Sequence, residues 1–172
     1  MACALVIPGY LFRVSVQPPD PAFVFDLDGT LVDSVYQHVF AWQRALADTD
    51  IAIPIWRVHR RIGMGSDLLA AGVLRESGHQ LTDEERNRLT ELHGMYYAEL
   101  SGSVQPLPGA RELLDRLDEL GLAWGIATSG AKEETAPVLQ MLGVEGRCPV
   151  ATGDDVPFAK PDPHLFLAGA EA

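Results

Sequence analysis

Four apolar residues, Ala22-Phe23-Val24-Phe25, run without a break into Asp26-Leu27-Asp28-Gly29. A short apolar run of this kind reads as a buried strand. Open α/β sheets bind ligands at the carboxyl ends of such strands, where residues two apart point the same way, so Asp26 and Asp28 are expected to face one reaction centre. The pattern then changes period. Asp33 or Ser34 can cap a helix with Val35, Val39, Trp42 and Leu46 on one stripe. Only helical patterning follows, as far as about Gly102. Ser66 or Asp67 starts one segment, through Leu68, Leu69 and Leu74, that Gly78 can end. Thr82-x-x-Glu85 is a capping box opening another, with Leu89, Leu92 and Tyr96 on one face.

After Pro106-Leu107-Pro108-Gly109 strands and helices alternate again. A helix with Leu113, Leu117 and Leu120 inward is closed by Gly121, a strand covers 122–127, and a helix covers 132–142 with Pro137 in or near its first turn. Gly143 ends that helix, 150–152 is a short strand, and Pro163 opens a last helical turn. The expected fold is therefore α/β, a Rossmann-like parallel sheet core with an inserted helical cap. Its organisation reads as an extension over 1–21, a core made of 22–34 and 104–172, and the cap over 35–103.

At 172 residues, 47% of them apolar and 22% charged, the chain has the composition of an ordinary soluble globular protein. Its 24 acidic against 13 basic side chains give a net charge of −11, which argues against nucleic acid and anionic membrane as partners. An anionic substrate has to be attracted locally, by a cation or a metal. No apolar run is long enough to span a bilayer. Two cysteines, Cys3 and Cys148, make no disulfide framework. With no charged start and no cleavage site in 1–21, a cytoplasmic location is expected.

Two neighbouring carboxylates cannot both ionise freely, which suits one as nucleophile and the other as general acid and base. Gly29 permits the tight turn that brings amide N–H groups towards an anion. The bland alternative is a turn of capping carboxylates. A calcium loop fails, because its sixth and twelfth positions would be Leu31 and Gln37. Gly125-x-x-x-x-Gly130-Ala131-Lys132 misses a phosphate-binding P-loop, with the lysine one residue late and Glu133 in place of the metal-binding hydroxyl. The five histidines show no zinc-site spacing. Trp42, Trp56 and Trp124 read as core residues, and Phe158 as loop packing. The basic cluster Arg57, His59, Arg60, Arg61 is either a solvated helix face or a place where Arg60 and Arg61 meet an anionic substrate.

Asp26-x-Asp28-Gly29-Thr30-Leu31 resembles the first motif of the haloacid dehalogenase-like superfamily, which is mostly phosphatases. Ala127-Thr128-Ser129 is similar to that family's phosphate-binding motif, and Lys160-Pro161-Asp162-Pro163 to its lysine motif, in the right order. Residues 35–103 stand where one of its branches, phosphoglycolate and sugar-phosphate phosphatases, carries a helical cap. The resemblance implies hydrolysis of a small phosphorylated metabolite through an aspartyl phosphate. In these terms Asp26 is the nucleophile, Asp28 the acid and base, and Lys160 the charge-neutralising cation. Gly29, Thr128 and Ser129 would hold phosphate, with cap arginines such as Arg60 and Arg61 on the leaving group. Mg2+ would sit on the Asp26 carboxylate and the Asp28 backbone carbonyl. A phosphomutase of the same architecture is the alternative within the family.

The same family completes its magnesium site with a fourth, acidic motif on a later strand, and the chain ends at Ala172 before one occurs. The expectations are a C-terminally incomplete core, a magnesium response that saturates only at millimolar concentration, and, as the rival outside enzymology, an impaired phosphate- or partner-binding protein. Asp154 and Asp155 are poor substitutes. The strand at 22–25 would then lie at a sheet edge open to self-association. Residues 1–21 contain Cys3–Ile7 and Tyr10–Val16 around Pro8-Gly9. They are either a hairpin covering that edge or an added stretch without structure.

Overall fold

The computed structural model describes residues 22–65, 69, 71–72 and 82–171, together with two short strands, Leu5–Ile7 and Tyr10–Phe12. The helix expected over 66–78 lies largely outside the described residues.

The two N-terminal strands, β1 (Leu5–Ile7) and β2 (Tyr10–Phe12), pair antiparallel, with Leu5 opposite Phe12 and Ile7 opposite Tyr10. They form a sheet of their own and do not extend the core ladder. β3 (Ala22–Phe25) follows, then β4 (Val32–Asp33), α1 (Val35–Ala47), α2 (Ile55–His59) and α3 (Asp83–Leu100). β5 (Gln105–Pro106) leads into α4 (Ala110–Glu119), β6 (Ala123–Ala127), α5 (Lys132–Leu142), β7 (Val150–Ala151) and α6 (His164–Glu171).

β3, β6 and β7 make a parallel sheet in the order β3-β6-β7, registered by Ala22 on Ala123 and Ile126 on Val150. Residues of β6 alternate between two cores, as the period of two in a strand requires. Trp124 and Ile126 join Leu114 and Leu117 of α4 and Val138 and Leu142 of α5 on one face. Ala127 packs with Leu165 of α6 on the other. Gly169 lets α6 come close, since a Cβ there would lie 3.1 Å from the Val24 side chain. The fold is thus a Rossmann-like α/β sandwich. β3 is not the fully buried strand that its composition suggests: Ala22 and Phe23 are exposed, because β3 bonds to β6 alone among the described strands.

The helices between β4 and β5 have a separate apolar cluster, built from Trp42 and Leu46 of α1, Val58 of α2, and Leu89, Leu92 and Tyr97 of α3. β4 and β5 pair antiparallel, Val32 opposite Pro106, and so tie the chain's way into this insert to its way out. The capping box of Thr82 and Glu85 is formed at the start of α3. No helix among the described residues is long and apolar enough to cross a membrane.

Three local expectations are corrected. α4 buries Ala110, Leu114 and Leu117, whereas Leu113 and Leu120 are 44% and 52% exposed. The two stripes share Leu117 and differ by a small rotation of the helix against the sheet. Pro137 sits in the second turn of α5. The carbonyl whose hydrogen bond it removes belongs to Glu133, and both residues are exposed, so water can take the bond. Trp56 is 53% exposed rather than core, with the Arg57 and Arg60 guanidinium groups 5.3 and 5.9 Å from its ring.

Beyond β7, Asp155 accepts hydrogen bonds from the Thr152 amide and hydroxyl at 2.9 and 2.7 Å and pairs with Lys132 at 2.6 Å. The Lys132 contact, then those of Thr152, pull its pKa from 3.8 to about 2. A carboxyl held lower in the folded state stabilises above its unfolded pKa, and that stability is lost as the pH falls towards the folded value. Wild type is therefore expected to unfold at higher urea than Asp155→Asn at about pH 6, with the gap closing between about pH 4 and pH 2. The gap is modest, because the pair is partly solvated. Urea midpoints at several pH values measure it, and a gap independent of pH refutes the assignment.

Candidate active site

The loop that leaves β3 turns back on itself within five residues. The amides of Thr30, Leu31 and Val32 all donate to the Leu27 carbonyl, and Gly29 donates to Val32 at 2.9 Å. Gly29 has φ +75°, and a Cβ there would meet the Val35 side chain at 2.8 Å. No other residue fits this turn without displacement. The tight turn sets the Asp26 and Asp28 side chains on one cleft at the carboxyl edge of the sheet, along with Ser129, Gly130 and Lys160.

The two aspartates have opposite surroundings. Asp26 forms an ion pair with Lys160 and accepts the Leu27 amide at 2.8 Å. Asp28 is enclosed by hydrogen-bond donors. One of its oxygens takes the Ser34 hydroxyl at 2.6 Å and faces His38 Nε2 at 3.3 Å, and the other takes the Thr128 hydroxyl at 3.2 Å. Burial, the largest single influence, pushes the Asp28 carboxyl up. The contacts of His38, Ser34 and Thr128 together outweigh it and hold the carboxyl below the usual carboxylate value. These donors favour the anionic form of Asp28 in the free protein.

Ser34 occupies the N-cap position of α1 but makes no capping bond, and its hydroxyl donates to Asp28. Thr128, fully buried at the end of β6, donates to Asp28 and accepts the Gly130 amide at 3.1 Å. Its hydroxyl is directed at the aspartate, while Ser129 lines the cleft. The structure does not bring Gly29, Arg60 or Arg61 to the cleft wall. The Gly29 amide is spent within its turn, Arg60 lies over Trp56, and Arg61 donates to the Arg57 carbonyl at 3.0 Å. Asp154 and Asp155 point away from Asp26, towards the amide and side chain of Lys132.

Three cleft residues have no counterpart in the sequence motifs: His38 on α1, His93 on α3 and Glu134 on α5. Their ligand atoms lie within 4.8 Å of one another. Burial is the main influence on His93 and draws its ring below the usual histidine value, despite the Glu134 carboxylate beside it. A signal for the histidines does exist in the sequence. His38 falls one position before Val39 and four before Trp42, and His93 four after Leu89, so both are polar residues on apolar stripes.

The cleft has a volume of only about 40 Å³, enough for water or a small ion and too little for a substituted phosphate. A wider hollow of about 800 Å³ adjoins it across Ser129, lined among others by Gly65, Thr90, Phe158 and Pro161.

An open parallel sheet with two aspartates on a cleft at its carboxyl edge is the α/β arrangement in which ligands bind at the strand ends. The sequence pattern of the haloacid dehalogenase-like hydrolases matches residues 21–172, and the chain belongs to that family. It is 34% identical over 154 residues to phosphoglycolate phosphatase from Mannheimia succiniciproducens, covering 84% of this chain and 69% of that protein. Among solved structures, a hydrolase from Pseudomonas syringae superposes with a TM-score of 0.85 at 46% identity, over 87% of this chain and 69% of the other. A β-phosphoglucomutase from Clostridium difficile superposes with a TM-score of 0.77 at 26% identity, over 87% and 69% of the two chains. The protein is a phosphatase-type hydrolase acting on phosphate esters.

Proposed function

We propose that the chain hydrolyses a small phosphate monoester, of phosphoglycolate or sugar-phosphate type, in two displacements through Asp26. The observation that carries this reading is the unequal treatment of the two aspartates: Asp26 is partly exposed and paired with a lysine, Asp28 enclosed by donors. An Asp26 oxygen attacks phosphorus, the ester P–O bond breaks, and the departing oxygen takes a proton from the Asp28 carboxyl. Water then attacks the aspartyl phosphate, gives its proton to Asp28, and restores the Asp26 carboxylate with release of phosphate. Because the anionic form of Asp28 is favoured in the free protein, the carboxyl must gain its proton before or with substrate. Lys160 offsets the charge gathered on Asp26 and the phosphoryl oxygens, which is the main demand of phosphoryl transfer. Of the neutral groups on the cleft wall, the Ser129 hydroxyl is held by the Gly63 carbonyl at 3.3 Å and would have to turn from it to meet a phosphate oxygen, while the Gly130 amide is committed to Thr128. The wider hollow beyond Ser129 gives room for the leaving group.

No hydrogen bond among the described residues takes the second carboxylate oxygen of Asp26 or the backbone carbonyl of Asp28. Two hard oxygen donors of this kind suit Mg2+, which keeps several waters and binds phosphate oxygens directly. Bound there, Mg2+ would supply positive charge to the phosphoryl oxygens.

The test is phosphate release from phosphoglycolate and a panel of sugar phosphates, with Mg2+ and then with excess EDTA. Release that requires Mg2+ is expected. Phosphate binding with no turnover on any ester overturns the reading in favour of a binding protein. The mutase-like neighbour supports a second reading, which predicts stimulation by a sugar bisphosphate.

A further inference from the structure

Asp28 stands at one end of a line of four side chains. His38 Nε2 is 3.3 Å from Asp28, His38 Nδ1 is 3.2 Å from His93 Nε2, and His93 Nδ1 is 3.4 Å from Glu134. The line leaves the sheet's edge, crosses α1 and α3 of the helical insert, and returns to α5 of the core. Its middle is well enclosed. His93 is 2% exposed, the Tyr97 ring lies on the face of His38 at 4.0 Å, and Trp42 lies on the face of His93 at 4.5 Å. Gly94 leaves room for the far end, since a Cβ there would stand 3.2 Å from a Glu134 oxygen.

The same atoms raise the question of a metal ion, and the ring geometry answers it. The two imidazole centres are 5.3 Å apart with their planes only 17° from parallel. With 3.2 Å between the nitrogens, the rings lie edge to edge and the nitrogens face each other nearly in line. That is the approach a hydrogen bond prefers. An ion at the ~2.0–2.1 Å of a zinc–imidazole bond from both nitrogens would have to sit well off the line that joins them, and so off the lone-pair directions of both rings. The central contact is therefore a hydrogen bond. His38 faces neighbours with both of its nitrogens, whereas His93 Nδ1 makes no hydrogen bond among the described residues and has the Glu134 carboxylate beside it at 3.4 Å.

We propose that His93 and Glu134 are positioning residues for Asp28, acting through His38. The inference rests on the proton-transfer role of Asp28 argued above and adds to it residues from the insert and from the far side of α5. Glu134 orients the His93 ring, His93 orients His38, and His38 holds the Asp28 oxygen that also takes the Ser34 hydroxyl. The line makes the geometry of Asp28 depend on how the insert sits on the core.

The test uses His93→Phe, which keeps an aromatic ring against Trp42, Glu134→Ala, and the double variant. Two readouts are taken on the full chain: the imidazole resonances of 15N-labelled protein, and kcat and KM on the best phosphate ester. Glu134→Ala, compared with the equally uncharged Glu134→Gln so that the lost charge within 4.8 Å is held constant, is expected to shift the His38 resonances. His93→Phe is expected to lower kcat about tenfold or more, with KM within about twofold, and Glu134→Ala to lower it less. The double variant should match His93→Phe alone, because residues of one connected line are not additive. Glu134→Gln, which retains a hydrogen-bonding group, should recover part of the Glu134→Ala loss. His38 resonances that are the same in Glu134→Ala and Glu134→Gln, or losses that multiply in the double variant, overturn the proposal. Should His93→Phe fail to fold, the partly exposed Glu134 still supplies both readouts. A wild-type protein that hydrolyses no ester while its His38 resonances respond to residue 134 refutes the catalytic reading of Asp28 and leaves the line as a structural coupling.

Discussion

Asp26→Asn is expected to remove turnover, with kcat falling on the order of 10⁴-fold or more, as when the nucleophile of a covalent mechanism is lost. The amide has nearly the shape of the carboxylate but neither its charge nor its nucleophilicity. The fold should be retained, because Asp26 is only partly buried and an Asn oxygen can still accept the Leu27 amide. The ion pair with Lys160 is lost. This leaves the lysine free to hold inorganic phosphate, so the variant should bind phosphate as well as wild type or better. Phosphate release and isothermal titration measure the two effects. Turnover at the wild-type rate would eliminate Asp26 as nucleophile and the two-displacement mechanism with it.

Asp28→Asn is expected to cost ~10²–10⁴ in rate on an alkyl phosphate, the range for general acid–base catalysis. The loss should be smaller on p-nitrophenyl phosphate, whose leaving group needs little protonation. The substitution is conservative in structure. An Asn oxygen can still accept from Ser34 and His38, and its amide can donate to the Thr128 hydroxyl, which also accepts the Gly130 amide. What disappears is the ability to hold and return a proton. Equal losses on the two substrates would place the role of Asp28 in binding rather than in proton transfer.

These predictions concern residues visible in the sequence because their chemistry is written in consecutive positions. Two carboxylates separated by one residue, followed by a glycine, need a tight turn at the end of a strand, and the structure shows that turn. Lys160 is legible in another way, through its likeness to a family motif, and it folds back onto Asp26 from far along the chain. His38, His93 and Glu134 were not read from the sequence. Each sits within an amphipathic helix that would be acceptable with any polar or aromatic residue there, and no local spacing connects them. The arginines are the converse case, a conspicuous signal with two readings. Arg60 and Arg61 form a conspicuous cationic pair in an acidic chain, yet α2 lays Arg60 over Trp56 and turns Arg61 back to its own helix.

The sequence by itself determined the order of the core strands β3, β6 and β7 and the helices between them, the helix ends at Thr82, Gly121 and Gly143, and the pairing of Asp26 with Asp28 in one turn. All of these depend on interactions within a few residues, where periodicity, capping chemistry and the conformational limits of glycine act directly. The tertiary structure alone decided which stripe of α4 is buried, Leu114 rather than Leu113 and Leu120. It also took the Ser34 hydroxyl from the helix end to Asp28, and it aligned two histidines from separate helices between two carboxylates. A periodic pattern says that a face is covered, but not what covers it or at what rotation. Those choices follow from packing contacts between residues far apart in the chain, where a helix turned by a few tens of degrees buries a different set of equally apolar side chains.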